Sequence, residues 1–144
     1  MFVSTITVFN YHEATKTWYL SVITGVHLLS AKSSTGTTTG VNSGDTVEVI
    51  VRCAKDRSIT TSIGKKQYVA PKEYGKSENP EDLITFTPET DFIYSGEWEN
   101  LTPIPEDEES QGLYYEMNDE HDGVFAITSA GFFGLLPHFE IGGR

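Results

Sequence analysis

The chain is 144 residues long, with a hydrophobic fraction of 38% and an aromatic fraction of 12%. These values indicate one folded domain with a sizeable core and exclude a disordered chain. No apolar run approaches the roughly 18 residues that a membrane helix needs, and the first ten residues carry no secretory-signal pattern. We therefore expect a single domain over residues 1–144 with no membrane partner.

Charge is divided unevenly along the chain, whose net charge is −11. Residues 1–76 hold nine Lys or Arg against five Asp or Glu, a balance of +4. Residues 77–144 hold only Arg144 against sixteen Asp or Glu, a balance of −15, and the two halves give the total. Two interpretations stay open. One is a solvated acidic face; the other is that copies of the chain stack with basic surface against acidic surface.

The first third of the chain predicts a hairpin followed by a loop. Residues 5–9 and 17–24 alternate apolar and polar side chains, which is typical of two paired strands. Gly25 interrupts the second strand, and residues 26–31 continue in an extended form. Residues 32–44 are almost entirely Gly, Ser and Thr, so we expect a mobile loop there.

The strongest strand signal lies at residues 45–53. Val47, Val49 and Val51 share one face with Cys53, and β-branched residues in period-two spacing are typical of a half-buried strand. Cys53 is the single cysteine, so an internal disulfide is excluded and we expect a small buried hydrophobe rather than a nucleophile. The segment that follows is basic, and its cations are Lys55, Arg57, Lys65 and Lys66.

The second half of the chain predicts short strands separated by acidic segments. Strands are expected at residues 91–96, 113–117, 124–130 and 135–141, and Asn79-Pro80 is a fair start for a short helix over 80–86. Residues 97–112 read as an exposed acidic loop, which contains the run Glu106, Asp107, Glu108 and Glu109. The fold class is therefore all-β: a small antiparallel barrel or sandwich with long loops and at most one short helix.

No motif predicts catalysis, a cofactor or a metal. The Gly-rich loop lacks the ending of a P-loop, and the Ser62-x-x-Lys65 spacing would need a helix that Ile63-Gly64 makes unfavourable. The Asn118-to-Gly123 segment starts like a calcium loop, but Ser129 stands where the bidentate Glu is needed. We expect a turn ended by Gly123 and a protein that is not an enzyme.

Several stretches together resemble a poorly characterised family of small phage and prophage proteins from Gram-positive hosts. The resemblance begins at residues 124–129 and 137–143, and it extends to residues 5–10, 23–26, 45–51 and 91–96. It therefore covers most of the chain, although each motif is short. Phe139 stands where the family has Trp, and the acidic loop at 97–112 departs from the pattern.

This resemblance implies a structural protein of the head–tail junction, either a neck stopper or a tail-completion protein. Such proteins are typically small β-barrels or sandwiches that form a homo-oligomeric ring around the DNA channel. The implied partners are neighbouring neck proteins on the portal or adaptor side and on the tail side, and double-stranded DNA that passes without sequence-specific binding. The implied location is the virion, assembled in the host cytoplasm, and the family carries no catalytic residues to transfer.

Residues that face a neighbouring subunit or the channel are then expected among the charged ones. The candidates are Lys55, Arg57, Lys65, Lys66, Glu106, Asp107, Glu108 and Glu109. The alternative is a virion decoration or glycan-binding module, which would expose Trp98, Tyr114 and Tyr115 on one surface. A third class, an acid-dependent hydrolase, has weaker support.

Overall fold

The structure, a computed structural model, describes residues 3–31, 46–106 and 112–144. Within these ranges the strands are β1 Ser4–His12, β2 Thr17–Ala31, β3 Thr46–Arg52, β4 Ser58–Thr61, β5 Gly64–Tyr68, β6 Leu83–Ile84, β7 Phe92–Ser95, β8 Ile104–Pro105, β9 Val124–Phe133 and β10 His138–Gly143. The α-helices of the described chain are α1, Pro71–Lys76, and α2, Leu113–Glu120. None of the helices in these ranges is long and apolar enough to cross a bilayer.

Six of the described strands close into an antiparallel barrel. Their order around the barrel is β1, β2, β3, β10, β9 and β7, and β7 pairs again with β1. Closure leaves these strands without the open edges that an unpaired sheet presents. The prediction of an all-β antiparallel barrel or sandwich is therefore confirmed, and the fold is a barrel.

Strand β2 is long because it serves two parts of the barrel. Its first half pairs with β1 and its second half pairs with β3. The change occurs at Gly25, whose φ of 69° lies in the left-handed region that glycine adopts without strain. The register with β1 shifts at the same place, because Thr5 pairs with Thr24 while Ser4 pairs with Val26. A bulge of this kind bends a strand around a barrel.

Strand β3 carries the alternation that its sequence predicts. Val47, Val49 and Val51 are buried, whereas Glu48 and Arg52 are exposed. The strand ends at Arg52, and Cys53 follows it as a half-buried residue that packs against the core. Burial raises the pKa of the Cys53 thiol, so the thiolate is disfavoured. Cys53 is therefore less buried than the sequence predicts, because the strand ends one residue before it.

A second, smaller sheet of three strands packs against the barrel core. Strands β4 and β5 form a hairpin, and β6 pairs parallel with β5. Ile59, Ile84 and Phe86 belong to the same buried cluster as the barrel strands. The hairpin is also tied to the barrel wall, because the backbone N–H of Ser62 donates to the carbonyl of Val22 at 2.9 Å. The barrel interior is thus filled by side chains.

The outer face of one barrel wall is also buried. Phe9, Trp18 and Phe92 point outward and form a second apolar cluster with Met117 of α2. Phe9 and Phe92 stack with ring centroids 4.4 Å apart. Because both faces of this wall are apolar, the helix must lie against it to exclude water.

The helical segments differ in place from those that the sequence predicts. The expected helix over 80–86 is only a 3-10 turn, Pro80–Asp82, followed by β6. The expected strand over 113–117 is wrong, because these residues begin α2. The predicted loop at 97–112 contains β8, which pairs with the start of β2. The predicted loop at 32–44 lies outside the described residues.

Candidate functional site

The predicted basic residues gather beside one end of β3. Lys55 and Arg57 lie on the exposed turn between β3 and β4, and Lys65 lies on the exposed face of β5. Lys65 and Arg52 line one shallow depression together. Arg57 places its guanidinium 4.4 Å from the ring centroid of Phe132 on β9, a cation–π contact. We call Arg52, Lys55, Arg57 and Lys65 the basic cluster.

Lys66 does not belong to that surface, so its assignment there is wrong. Its side chain is 4% exposed, and Nζ donates to Ser21 Oγ at 2.7 Å and to the Leu20 carbonyl at 3.4 Å. Burial lowers the pKa of Lys66, while the carboxylates of Asp82 and Glu81 oppose that shift. The reason is strand geometry: neighbours on β5 point to opposite faces, so Lys65 and Lys66 cannot both face solvent.

Of the predicted acidic run, Glu106 is described, and Asp107, Glu108 and Glu109 lie outside the described residues. Glu106 is exposed, and its Oε2 accepts a hydrogen bond from the Tyr11 hydroxyl at 2.7 Å. Its backbone N–H donates to the Lys16 carbonyl at 2.8 Å. Burial and the Glu106 hydrogen bond raise the pKa of Tyr11 to about 12, so this phenol stays a donor. Glu106 is thereby fixed beside the β1–β2 hairpin.

Glu106 forms one rim of a surface groove of about 400 Å³. Its apolar walls come from Tyr11 and Trp18 of the hairpin and from Tyr114 and Tyr115 of α2. Glu89 adds a second exposed carboxylate. We call this the aromatic groove. The local sequence does not reveal this groove, because residues 113–117 have the pattern of a strand.

Asp91 lies under the aromatic groove and holds its surroundings together. It is 1% exposed, and its carboxylate accepts hydrogen bonds from the backbone N–H groups of Tyr11 and Thr87 and from Asn10 Nδ2, all between 2.8 and 2.9 Å. Burial raises the pKa of Asp91 to about 6, although these hydrogen bonds act in the opposite direction. The carboxylate thus ties β1 to the turn before β7.

The β9–β10 turn exposes a run of apolar side chains. Phe133 is 48% exposed, Leu135 is 98% exposed and Leu136 is 77% exposed. We call these three residues the apolar tip. Its base is held in place, since the Cys53 N–H donates to the Pro137 carbonyl at 3.3 Å and the His138 ring bonds the Leu136 carbonyl at 2.6 Å.

The apolar tip stands next to the basic cluster. His138, directly after the turn, pairs with Arg52 across β10 and β3. Phe132, directly before the tip, lies under Arg57. His138 Nε2 also lies 2.9 Å from Glu140 Oε2, and this hydrogen bond raises the pKa of His138. The tip is therefore an apolar projection with Arg52 and Arg57 on one side and the paired His138 and Glu140 at its base.

The aromatics named for glycan binding do not line one groove together. Trp98 is half-buried and makes edge contacts with Phe9 and His121, with centroids 6.0 and 5.2 Å apart. Tyr114 packs edge-on against the ring of Phe92, whereas Tyr115 is 63% exposed. Tyr114 and Tyr115 line the aromatic groove without Trp98. Across the described ranges, no group of three or more His, Cys, Asp or Glu is placed to hold a metal ion.

The fold and these surfaces define a small closed β-barrel with an acidic aromatic groove and a basic apolar projection. The chain belongs to the family of unknown function DUF6751, whose sequence profile matches residues 1–144. No curated protein and no solved structure matches the chain significantly.

Proposed function

We propose that this protein is a structural subunit of the phage head–tail junction, a neck stopper or tail-completion protein that forms a ring around the DNA channel. The observation that carries the proposal is where the resemblance falls in the fold. The stretches that resemble the phage family lie on β1, β2, β3, β7, β9 and β10, the six strands of the barrel. The likeness thus concerns the whole barrel rather than one local motif.

The filled barrel dictates how DNA would pass. Ile6, Val49 and Ile141 are completely buried inside the barrel, so the barrel formed by the described strands encloses no channel. A passage for duplex DNA has to lie between several copies, which is what a closed cyclic ring provides. Acidic surface on such a passage repels phosphates and lets DNA slide, whereas lysine-rich surface binds DNA through counterion release.

The charge distribution supports contacts between copies. Lys55, Arg57 and Lys65 are exposed on one region of the barrel, and Glu89 and Glu106 are exposed on another. Opposite charge on separate patches favours a head-to-tail contact, in which one patch of each copy meets the other patch of its neighbour.

The proposal is tested by assembly and location. The purified protein is expected to form rings with a central opening wide enough for duplex DNA, visible by negative-stain electron microscopy, with a mass measured by light scattering. Immunogold labelling of the phage particles is expected at the head–tail junction. The proposal would be contradicted by a protein that stays monomeric at all concentrations together with an absence of immunogold label at the junction.

A second candidate function is supported by the aromatic groove. Tyr114, Tyr115 and Trp18 beside Glu89 and Glu106 resemble the mixture of aromatic and carboxylate groups that binds small polar ligands. For a decoration or glycan-binding module, the immunogold label would be found on the capsid shell or tail tip instead of the junction. It would also show glycan binding that is lost in the Tyr115→Ala variant.

A further inference from the structure

We propose that the apolar tip of one copy docks into the aromatic groove of the next copy, and that this is the subunit contact of the ring. The inference takes its biological setting from the proposed function. It adds which two surfaces meet and which residues make the contact.

The apolar tip is exposed and stands on an ordered base. Leu135 and Leu136 are 98% and 77% exposed, and among the described residues no other large hydrophobic is as exposed as either. Adjacent exposed apolar side chains mark interaction sites more often than scattered ones do. The turn that presents them is fixed by the bonds to the Pro137 and Leu136 carbonyls, so docking requires little new ordering.

The apolar tip and the aromatic groove are complementary in character. The tip is apolar and has Arg52 and Arg57 at its base. The aromatic groove is apolar and has Glu89 and Glu106 at its rim. Docking would bury leucine against Tyr114 and Tyr115 and bring the cations towards the carboxylates. Apolar anchors in an aromatic pocket with charges at the rim are the usual anatomy of a specific interface.

The apolar tip cannot reach the aromatic groove of its own subunit. Ala126 of β9 lies in the groove wall, while Phe133 at the end of the same strand begins the tip. The two residues are seven positions apart on an extended strand, a distance of about 23 Å. The strand is held on both sides by its neighbours, so the contact has to form between copies. One tip and one groove on each copy give a head-to-tail contact, which closes into a ring when the rotation allows.

Cross-linking tests the contact directly. One protein carries Leu136→Cys and a second carries Tyr115→Cys, both with Cys53→Ser, and the two are mixed under mild oxidation. A disulfide-linked heterodimer is expected. The matched control replaces the first protein by one with Ile63→Cys, an apolar residue that is 64% exposed on the β4–β5 turn, and is expected to give no such product. Equal cross-linking in both mixtures would overturn the inference.

Sedimentation velocity separates this inference from the ring proposal. The double variant Leu135→Ser, Leu136→Ser should remain folded by circular dichroism. It should need a protein concentration at least tenfold higher to assemble, whereas Ile63→Ser should assemble like the native protein. Unchanged rings in the double variant would overturn the docking but leave the ring. A native protein that never assembles would overturn both.

An anionic membrane is the alternative partner for an apolar tip with arginines beside it. One further measurement distinguishes the membrane from the aromatic groove of another copy. Flotation with phosphatidylglycerol vesicles is expected to show no binding of the assembled native protein. Vesicle binding that depends on Leu135 and Leu136, together with normal assembly of the double variant, would assign the tip to a lipid surface and overturn the docking.

Discussion

At the scale of single residues, Asp91 links the stability of the fold to pH. Its pKa is about 6 in the folded chain against 3.8 for the ordinary carboxyl, so the folded state binds more protons than the unfolded state between these values. Stability from this group is therefore present at low pH and declines as pH rises through the window. A difference of about two pKa units corresponds to roughly 3 kcal/mol.

The Asp91→Asn variant tests this linkage. One amide oxygen cannot accept all the hydrogen bonds that the carboxylate accepts, so we expect the free energy of unfolding to fall by about 2 kcal/mol at pH 7. Urea unfolding of both proteins at pH 4, 5, 6 and 7 gives the comparison. The deficit of the variant should shrink from pH 4 to pH 7, and a deficit that grows with pH would contradict the assignment.

Lys65 is exposed and its neighbour Lys66 is buried, so we expect a charge reversal to be tolerated at Lys65 and not at Lys66. Lys66→Glu would bury a carboxylate near Glu81 and Asp82, so we expect a loss of more than about 3 kcal/mol. Lys65→Glu changes an exposed side chain and should alter stability by less than about 0.5 kcal/mol. Thermal unfolding of the two variants measures this. Equal losses would mean that the β5 register is different from the one described.

At the scale of elements, β3 has one face in the core and one face in solvent. Val49→Asp would place an unpaired carboxylate in the barrel interior, where Val49 is completely buried, and we expect a loss of more than about 3 kcal/mol. Glu48→Asp, on the exposed face of the same strand, is the matched control and should have little effect. Denaturant unfolding compares them, and a native-like midpoint for Val49→Asp would contradict the placement.

Elements differ in how far local sequence determines them. Period-two alternation was sufficient for β1, β2 and β3, because each buries one face against the barrel core, and β9 begins with a continuous apolar run. Period-two alternation failed at α2, where Tyr114 and Tyr115 have high strand propensity. The helical signal there was the four-residue spacing of Leu113 and Met117, and packing against Phe9 and Phe92 decides the outcome. Helix α1 begins at Pro71, whereas the local sequence predicts a helix start at Pro80.

The candidate surfaces were only partly predictable for the same reason. Local sequence marks Lys55, Arg57 and Glu106 as charged, and the structure exposes all three. The groove joins Tyr11, Trp18 and Tyr114 from segments about a hundred residues apart, so it arises only when the barrel closes. No local pattern carries that information.

At the scale of the whole molecule, the uneven charge predicts salt-sensitive assembly. Exposed charges are screened beyond about 10 Å at ~0.1 M salt, so contacts between the basic cluster and an acidic neighbour should weaken as salt increases. The combined variant Glu106→Lys, Asp107→Lys, Glu108→Lys, Glu109→Lys should block ring assembly or DNA passage. Ring mass by light scattering across salt concentrations and phage infectivity measure the two effects. Fully infectious particles from this variant would identify the acidic run as a solvated loop.

The closed barrel also has a kinetic consequence. Ile6 pairs with Ser95 and Arg52 pairs with His138, so each of these two pairings closes a loop of more than eighty residues. The β1–β2 and β9–β10 hairpins form from neighbouring segments, but the cylinder is complete only when both long loops are closed. Loop-closure entropy has to be overcome before those contacts contribute. Folding on the millisecond-to-second timescale follows, as in other proteins dominated by distant strand pairing.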